Sequence, residues 1–176
     1  MLGLSKSKKY VNQQTLRQIY FALVYPHLQY AITCWGAAAK CHLNKIIIKQ
    51  KWAVRLITNS SRETSTNPLF IQLKLLKLED IFKLKMALEI KRIISLNLNN
   101  NIGLQLNSSI YNYKTRSSTN SDFHIPQVNS NVGKSSLKYQ GSLIWKNIPI
   151  DLKNKPLTSF KFMYKNYLIN QYDINS

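Results

Sequence analysis

The sequence predicts a mostly α protein, a helical bundle followed by a small α+β C-terminal region. Apolar residues recur every three or four positions through several long segments, which is the period of an amphipathic helix. Only the six residues 123–128, FHIPQV, resemble a strand, and the proline among them indicates an edge strand. A chain of 176 residues that is 44% hydrophobic is also long and apolar enough to bury a core.

The first predicted helical segment begins at Asn12, where the apolar spacing turns regular. Its predicted buried stripe consists of Leu16, Ile19, Tyr20, Leu23, His27, Tyr30 and Cys34. Pro26 interrupts the segment, and because the residue before a proline avoids helical geometry, we expect a kink or a junction of two helices near Tyr25.

The same segment leaves a membrane alternative open. Residues 18–39 contain no charged side chain and are numerous enough to cross a bilayer. However, Gln18, His27 and the central Pro26 would each be costly in lipid, whereas a buried bundle helix supplies polar partners easily. The bundle helix is therefore the favoured interpretation.

The second predicted helix covers residues 42–58 and carries most of the charge that we consider functional. Lys51 and Arg55 lie on one flank, Lys45 and Lys49 lie on the other, and Gln50 is a polar group at the centre of the main apolar face. If Gln50 is buried it must find a hydrogen-bond partner. A second apolar stripe, Ile48, Trp52 and Leu56, runs between the flanks.

The remaining pattern predicts helices at 69–76, 78–98, 135–148 and 157–171. The chain is accordingly divided into a basic lead (1–11), a helical bundle (12–98), a basic Asn/Ser-rich connector (99–121) and a small α+β region (122–176).

The charge balance points to a polyanionic partner. There are 25 Lys plus Arg against 7 Asp plus Glu, a formal net charge of +18. Lys, Asn and Ile are all abundant, as A+T-rich coding DNA produces, so part of the positive charge reflects codon usage. The shortage of acids is not explained in this way, and it favours contact with nucleic acid or an anionic membrane.

The same shortage argues against chemistry in this chain. Two-metal phosphoryl transfer needs clustered carboxylates, and only Glu79 and Asp80 are close in sequence. Cys34, Cys41 and His42 lack the paired short spacing of a structural zinc site. We therefore predict no catalytic residue, no metal ligand and no cofactor.

Basic residues alternate with aromatic ones in several segments. Cations neutralise phosphates and aromatic rings stack on unpaired bases, so this mixture favours RNA or single-stranded DNA. The members are Lys6, Lys8, Lys9 and Tyr10; Lys45, Lys49, Lys51, Trp52 and Arg55; Tyr111, Tyr113, Lys114 and Arg116; and Lys161, Tyr164 and Lys165.

The order of several landmarks resembles the thumb and post-thumb region of reverse transcriptases (RNA-directed DNA polymerases) from non-LTR retrotransposons, the jockey-like LINE transposable elements. In the first half the landmarks are Leu16, Ile19, Tyr20, Tyr25, Pro26, His27, Leu28, Tyr30, Ala31, Cys34, Trp35 and Gly36, then Leu43, Ile46, Gln50, Lys51, Val54, Arg55, Leu56, Ile57 and Thr58. In the second half they are Thr115, Arg116, Phe123, His124, Ile125, Pro126, Gly133, Lys134, Ser135, Ser136, Gly141, Trp145, Lys146, Asn147, Ile148, Pro149, Ser159, Phe160 and Lys161. One departure is Lys146 preceding Asn147, where the family usually has Asn directly after the Trp.

The resemblance implies a thumb-like helical bundle that grips an RNA template paired with its primer, as an RNA–DNA or DNA duplex, beside the palm and fingers of a complete polymerase. The implied nucleic-acid-binding residues are Lys45, Lys49, Lys51, Arg55 and Arg116, and the implied structural residues are Gln50, Trp35, Trp145 and Pro149. The palm's catalytic carboxylates are not in this sequence, so Mg²⁺ is expected only in the missing palm and the fragment should be inactive alone. The family's location is intracellular, with the nucleus as one compartment.

Two other classes of function remain as alternatives. The chain could be a genomic remnant that keeps its fold without activity. Mutations accumulating without selection would erode the apolar pattern of the helices, and that pattern is intact. It could also be a basic membrane-associated protein that uses residues 18–39, which we favour less for the reasons given above.

Overall fold

The computed structural model describes residues 10–98, 103–110 and 121–174, and its predominantly helical architecture confirms the predicted fold class. Residues 1–9 of the predicted basic lead lie outside the described residues. The same is true of residues 99–102 and 111–120 of the predicted connector. In chain order the helices are α1 (Gln13–Ile19), a π-helix (Tyr20–Val24), α2 (Tyr25–Gln29), α3 (Ile32–Trp35), α4 (Lys40–Thr58), α5 (Asn67–Gln72), α6 (Leu78–Ser95), α7 (Asn107–Ile110), α8 (Asn131–Ser135), α9 (Leu137–Lys146), α10 (Ile150–Lys153) and α11 (Leu157–Ile174).

The chain divides into two compact units. The first unit comprises Met1–Phe82 together with Lys165–Ser176, and the second unit comprises Lys83–Tyr164. The predicted boundary at residues 99–121 stays a prediction, because most of that segment lies outside the described residues.

A π-helix corrects the predicted stripe of the first segment. The buried residues are Leu16, Tyr20, Val24, Leu28 and Ile32, at a constant spacing of four. The π-turn, in which the Tyr25 N–H donates to the Tyr20 carbonyl, places more residues in each turn than an α-helix does. The predicted members of the stripe beyond Tyr20 are consequently wrong: Leu23, His27, Tyr30 and Cys34 are exposed. The junction expected near Tyr25 falls where the π-helix ends and α2 begins.

Gln50 joins three parts of the first unit through hydrogen bonds. Its side chain, only 1% exposed, donates from Nε2 to the Tyr20 hydroxyl (3.1 Å) and to the Leu76 carbonyl (2.9 Å). Its Oε1 accepts from the Leu78 N–H at 2.9 Å, which caps the first residue of α6. The buried amide is thus satisfied at both ends, and it ties α4 to the π-helix and to the start of α6.

Two buried tyrosines complete this polar network. Burial raises the pKa of Tyr20 to about 12, although the hydrogen bond from Gln50 acts in the opposite direction. The Tyr172 hydroxyl accepts from the Lys77 N–H (3.1 Å) and donates to Asp80 Oδ2 (2.6 Å). Burial, with the Asp80 carboxylate second, raises the pKa of Tyr172. Both phenols therefore remain protonated donors at neutral pH.

Trp35 and Gly36 show close packing at the end of α3. The Trp35 indole N–H donates to the Tyr30 carbonyl at 2.7 Å, across the turn in which Ala31 adopts a left-handed conformation (φ 47°). A Cβ on Gly36 would lie 2.3 Å from the Phe82 ring and 2.6 Å from the Ile32 carbonyl oxygen. Only glycine fits this contact without displacing backbone.

The second unit packs around Trp145 and a buried ion pair. The Trp145 ring contacts Phe123 and Phe160, and its indole N–H donates to the Ser121 carbonyl at 3.3 Å. Lys153 Nζ lies 2.6 Å from Asp122 Oδ1, and both side chains are about nine-tenths or more buried (5% and 4% exposed). Lys91 donates from Nζ to the Lys153 carbonyl, which anchors the short α10.

The β structure predicted at residues 123–128 amounts, in the described part of the chain, to one antiparallel bridge between Leu106 and Phe123. Two backbone hydrogen bonds flank the bridge: the His124 N–H donates to the Gln105 carbonyl at 2.8 Å, and the Asn107 N–H donates to the Asp122 carbonyl at 3.0 Å. Pro126 lacks the N–H that a longer ladder would need. Pro149 stands directly before α10 and accepts at its carbonyl from the Leu152 and Lys153 N–H groups.

Within the described ranges, no helix combines the length and apolar composition that a membrane crossing requires.

We predict that Gln50→Leu lowers the free energy of unfolding by roughly 3 kcal/mol, because the Tyr20 hydroxyl, the Leu76 carbonyl and the Leu78 N–H all lose their partner in a buried setting. Tyr20→Phe removes only one of these bonds and should cost roughly 1 kcal/mol. Urea unfolding followed by circular dichroism measures both. Gln18→Leu, on the exposed side of α1, is the control, and an equal loss in that variant would contradict the assignment.

We also predict that Asp122→Asn destabilises the protein by roughly 3 kcal/mol, since the Lys153 ammonium is then buried without a counter-charge. The double variant Asp122→Leu with Lys153→Met removes both charges and should recover most of that loss. Thermal and urea unfolding of the single and double variants measure this coupling. If the double variant loses as much free energy of unfolding as Asp122→Asn or more, the two side chains do not act as a pair.

Candidate nucleic-acid interface

Helix α4 concentrates positive charge without any acidic residue. Its 19 residues include Lys40, Lys45, Lys49, Lys51 and Arg55, and none is Asp or Glu. The helix is held by its apolar face, on which Gln50, Ala53, Val54 and Ile57 are buried. The cations therefore occupy the part of the helix that the core does not use, and no neighbouring carboxylate on the same helix neutralises them.

One face of α4, which we call the outer face, consists of Lys45, Ile48, Lys49 and Trp52. These positions are three, four and seven residues apart and so share one side of the helix. Both lysines are exposed, Trp52 is half-buried, and Ile48 is 66% exposed despite being apolar. Two ammonium groups one helical turn apart, with an apolar side chain beside them, suit a sugar–phosphate backbone, where charged and apolar groups alternate.

The four predicted phosphate contacts on α4 do not form one surface. Lys51 is half-buried and lies on the flank away from Lys49, where it lines a cavity together with residues of α5 and α6. Only Lys45 and Lys49 of the predicted set share the outer face.

Arg55 is occupied by the loop that follows its own helix. Its Nε and Nη2 atoms both donate to the Thr64 carbonyl, at 3.1 and 2.9 Å. The helix ends at Thr58. The next residue, Asn59, adopts a left-handed conformation (φ 55°), and the Arg55 carbonyl accepts from the Asn59 and Ser60 N–H groups. The guanidinium therefore fixes the loop between α4 and α5. The predicted contact of Arg55 with phosphate stays a prediction. The other predicted arginine contact, Arg116, lies outside the described residues.

The second unit has a positive cluster of its own. Partial burial lowers the pKa of Lys85, and the charges of Lys161 and Arg92 lower it further, while Glu89 opposes the shift. Like charges are thus close enough to repel one another at this surface, which an anionic ligand would relieve.

The acidic residues in the described part of the chain have structural partners or stand apart. Asp80 accepts from Tyr172 and Asp122 pairs with Lys153, as described above. No three His, Cys, Asp or Glu side chains come close enough to hold a metal ion within the described residues. Cys34 and Cys41 are exposed and unpaired with each other.

The cavity beside Lys51 is the feature that sequence reasoning missed. It has a volume of about 200 Å³, and its walls are Ile47, Gln50, Lys51, Asn67, Phe70, Lys77, Leu78 and Glu79. Three segments separated by loops contribute these residues, so no local spacing could have indicated the site. The one available signal was the pair Asn67–Pro68, which is typical of a helix start.

Comparison of the chain with protein-family models, with curated proteins and with solved structures gives no match.

We predict that Arg55→Lys lowers the free energy of unfolding by about 1 kcal/mol, because an ammonium group cannot reproduce the two guanidinium bonds to the Thr64 carbonyl. Urea unfolding measures the loss. Arg62→Lys in the same loop changes an exposed guanidinium in the same way and should leave stability unaltered. An unchanged free energy in Arg55→Lys would mean that the loop is held by other contacts.

Proposed function

We propose that this chain is a non-catalytic segment of a retrotransposon-type RNA-directed DNA polymerase and that it contributes binding of the template–primer duplex. The observation that carries the proposal is the acid-free helix α4, whose outer face exposes Lys45, Lys49 and Ile48. The order of landmarks that resembles the thumb and post-thumb of reverse transcriptases supports the same function, because this helix contains the landmarks Gln50, Lys51 and Arg55 of that resemblance.

The outer face would bind the duplex through its backbone. Lys45 and Lys49 would each neutralise a phosphate and release counterions, which supplies affinity without reading sequence. Ile48, beside them on the same face, would contact the apolar edge of a sugar, and the half-buried Trp52 would support it. Such binding positions a duplex and leaves bond-making to carboxylates elsewhere.

The test measures the salt dependence of duplex binding by the whole chain. A fluorescein-labelled RNA–DNA hybrid is titrated by fluorescence anisotropy at several salt concentrations. The double variant Lys45→Ala/Lys49→Ala should bind more weakly and should reduce the slope of log K against log salt by about two, one for each lost phosphate contact.

The control carries the same change of charge on a different surface. Lys146→Ala/Lys155→Ala removes two exposed lysines from the second unit and should keep the slope of the unmodified chain. Equal losses of affinity and slope in both double variants would mean that the effect comes from net charge alone. An unaltered slope in Lys45→Ala/Lys49→Ala would show that the outer face does not contact the duplex.

A further inference from the structure

Helix α6 carries a row of charged residues along one face within the second unit. Lys85, Glu89 and Arg92 are four and three residues apart, so they follow one another over two helical turns. Arg92 Nη1 lies 3.1 Å from Glu89 Oε1, and both of these side chains are largely open to solvent, at 59% and 41% exposure. Lys85, one turn before Glu89, is half-buried.

Helix α11 adds a third cation to this row. Burial, and then the charges of Lys161 and Arg92, lower the pKa of Lys85, whereas Glu89 opposes the shift. The two helices also approach each other nearby, since the Lys91 ammonium lies 5.9 Å from the centre of the ring of Phe160, the residue before Lys161. Three cations therefore surround one carboxylate, and the partly desolvated Lys85 gains from an incoming anion.

An exposed aromatic ring lies directly after this cation on α11. Phe162 follows Lys161 and is 68% exposed, whereas Phe160 and Tyr164 are buried and stack on each other with ring centres 5.5 Å apart. The sequence predicts Tyr164 as the aromatic residue that accompanies Lys161, but the core uses the Tyr164 ring. Phe162 is thus the ring beside Lys161 that a ligand can reach.

Two exposed hydroxyl groups complete the solvent side of this turn. Thr158 is four residues before Phe162 and three before Lys161, so it shares a side of α11 with both, and Ser159 follows it. Hydroxyl groups of this kind can donate to phosphate oxygens. We call the set Lys85, Arg92, Thr158, Lys161 and Phe162 the α6–α11 surface.

The combination of groups on the α6–α11 surface selects the type of polyanion. Cations alone attract any phosphate, but a free aromatic ring gains by stacking on the face of an unpaired base, which a duplex keeps inside its own stack. A lipid bilayer would require a continuous apolar face on the helix. This turn of α11 instead exposes Thr158, Ser159 and Lys161 around Phe162. The partner that fits best is therefore a single strand.

We propose that the α6–α11 surface binds single-stranded nucleic acid, with Phe162 stacked on a base and with Lys85, Arg92 and Lys161 neutralising the neighbouring phosphates. Such binding tolerates any sequence, because every base has a face to stack on, and it weakens as salt is added. The surface belongs to the second unit, so it does not depend on the duplex contact proposed for the outer face of α4.

The test is a fluorescence anisotropy titration of the full chain with fluorescein-labelled oligouridine RNA at several salt concentrations. Phe162→Ala should weaken RNA affinity roughly tenfold, the effect of one lost base stack, and should leave the salt slope and the affinity for the hybrid duplex unchanged. Lys161→Met should reduce the slope of log K against log salt by about 0.7, as expected for one phosphate contact on a single strand.

Two matched variants serve as controls. Tyr30→Ala removes an 80% exposed ring from the first unit, and Lys146→Met removes an exposed lysine elsewhere in the second unit. Both should keep the RNA affinity within about twofold. A ¹⁵N NMR titration of the unmodified chain with the same RNA is independent of all variants, and it should shift amide signals of residues 85–92 and 158–163.

Three outcomes would overturn the surface. They are an unchanged RNA affinity in Phe162→Ala, equal weakening in Phe162→Ala and Tyr30→Ala, and NMR shifts confined to residues outside 85–92 and 158–163. Vesicles of phosphatidylglycerol and phosphatidylcholine test the lipid alternative, and vesicle binding that needs Phe162 while RNA binding does not would also overturn it. Because the probe is single-stranded and the variants lie outside α4, failure of duplex binding leaves the α6–α11 surface standing, and the reverse also holds.

Discussion

The hydrogen bonds of Gln50 are the constraint on which the first unit depends. A single buried amide satisfies the Tyr20 hydroxyl, the Leu76 carbonyl and the first N–H of α6, so α4 cannot rotate or slide without leaving polar groups unpaired in the core. This fixes which side of α4 faces inward. The lysines of the outer face and the cavity beside Lys51 both acquire their positions from that orientation.

The scarce acidic residues and the abundant cations have separate roles in this protein. Asp80 and Asp122 are buried against Tyr172 and Lys153, where each stabilises packing between segments far apart in sequence. Helix α4 has no acid at all, so its lysines lack internal counter-charges. The positive charge that is left without a counter-charge on α4 is the charge on which the proposed duplex contact depends.

The helical class and the approximate position of α4 could be predicted because apolar spacing reports directly on a helix that has one buried face. Residues 42–58 were expected to be helical, and the helix covers Lys40–Thr58. The partners of Gln50 could not be predicted, since they are backbone groups of Leu76 and Leu78 that only the tertiary fold brings near. For the same reason, the hydrogen bond from Arg55 to the Thr64 carbonyl could not be predicted from the spacing of residues on one helix face. The four cations of α4 looked equivalent in sequence, and packing separates them into exposed, cavity-lining and loop-holding residues.

The π-helix at Tyr20–Val24 lets the chain reach Pro26 while its apolar residues stay on one side. A π-turn contains one more residue than the α-turn it replaces, and with that residue Leu28 and Ile32 are buried on the same side as Leu16 and Tyr20. Loss of one residue here would allow a plain α-helix to bury the same side chains, at spacings of four, three, four and four. Pro26 would then lie in the interior of a regular helix, where it lacks the N–H of the ladder and its ring clashes with the carbonyl four residues before it. Descendants of this sequence that shorten the segment should therefore also replace Pro26.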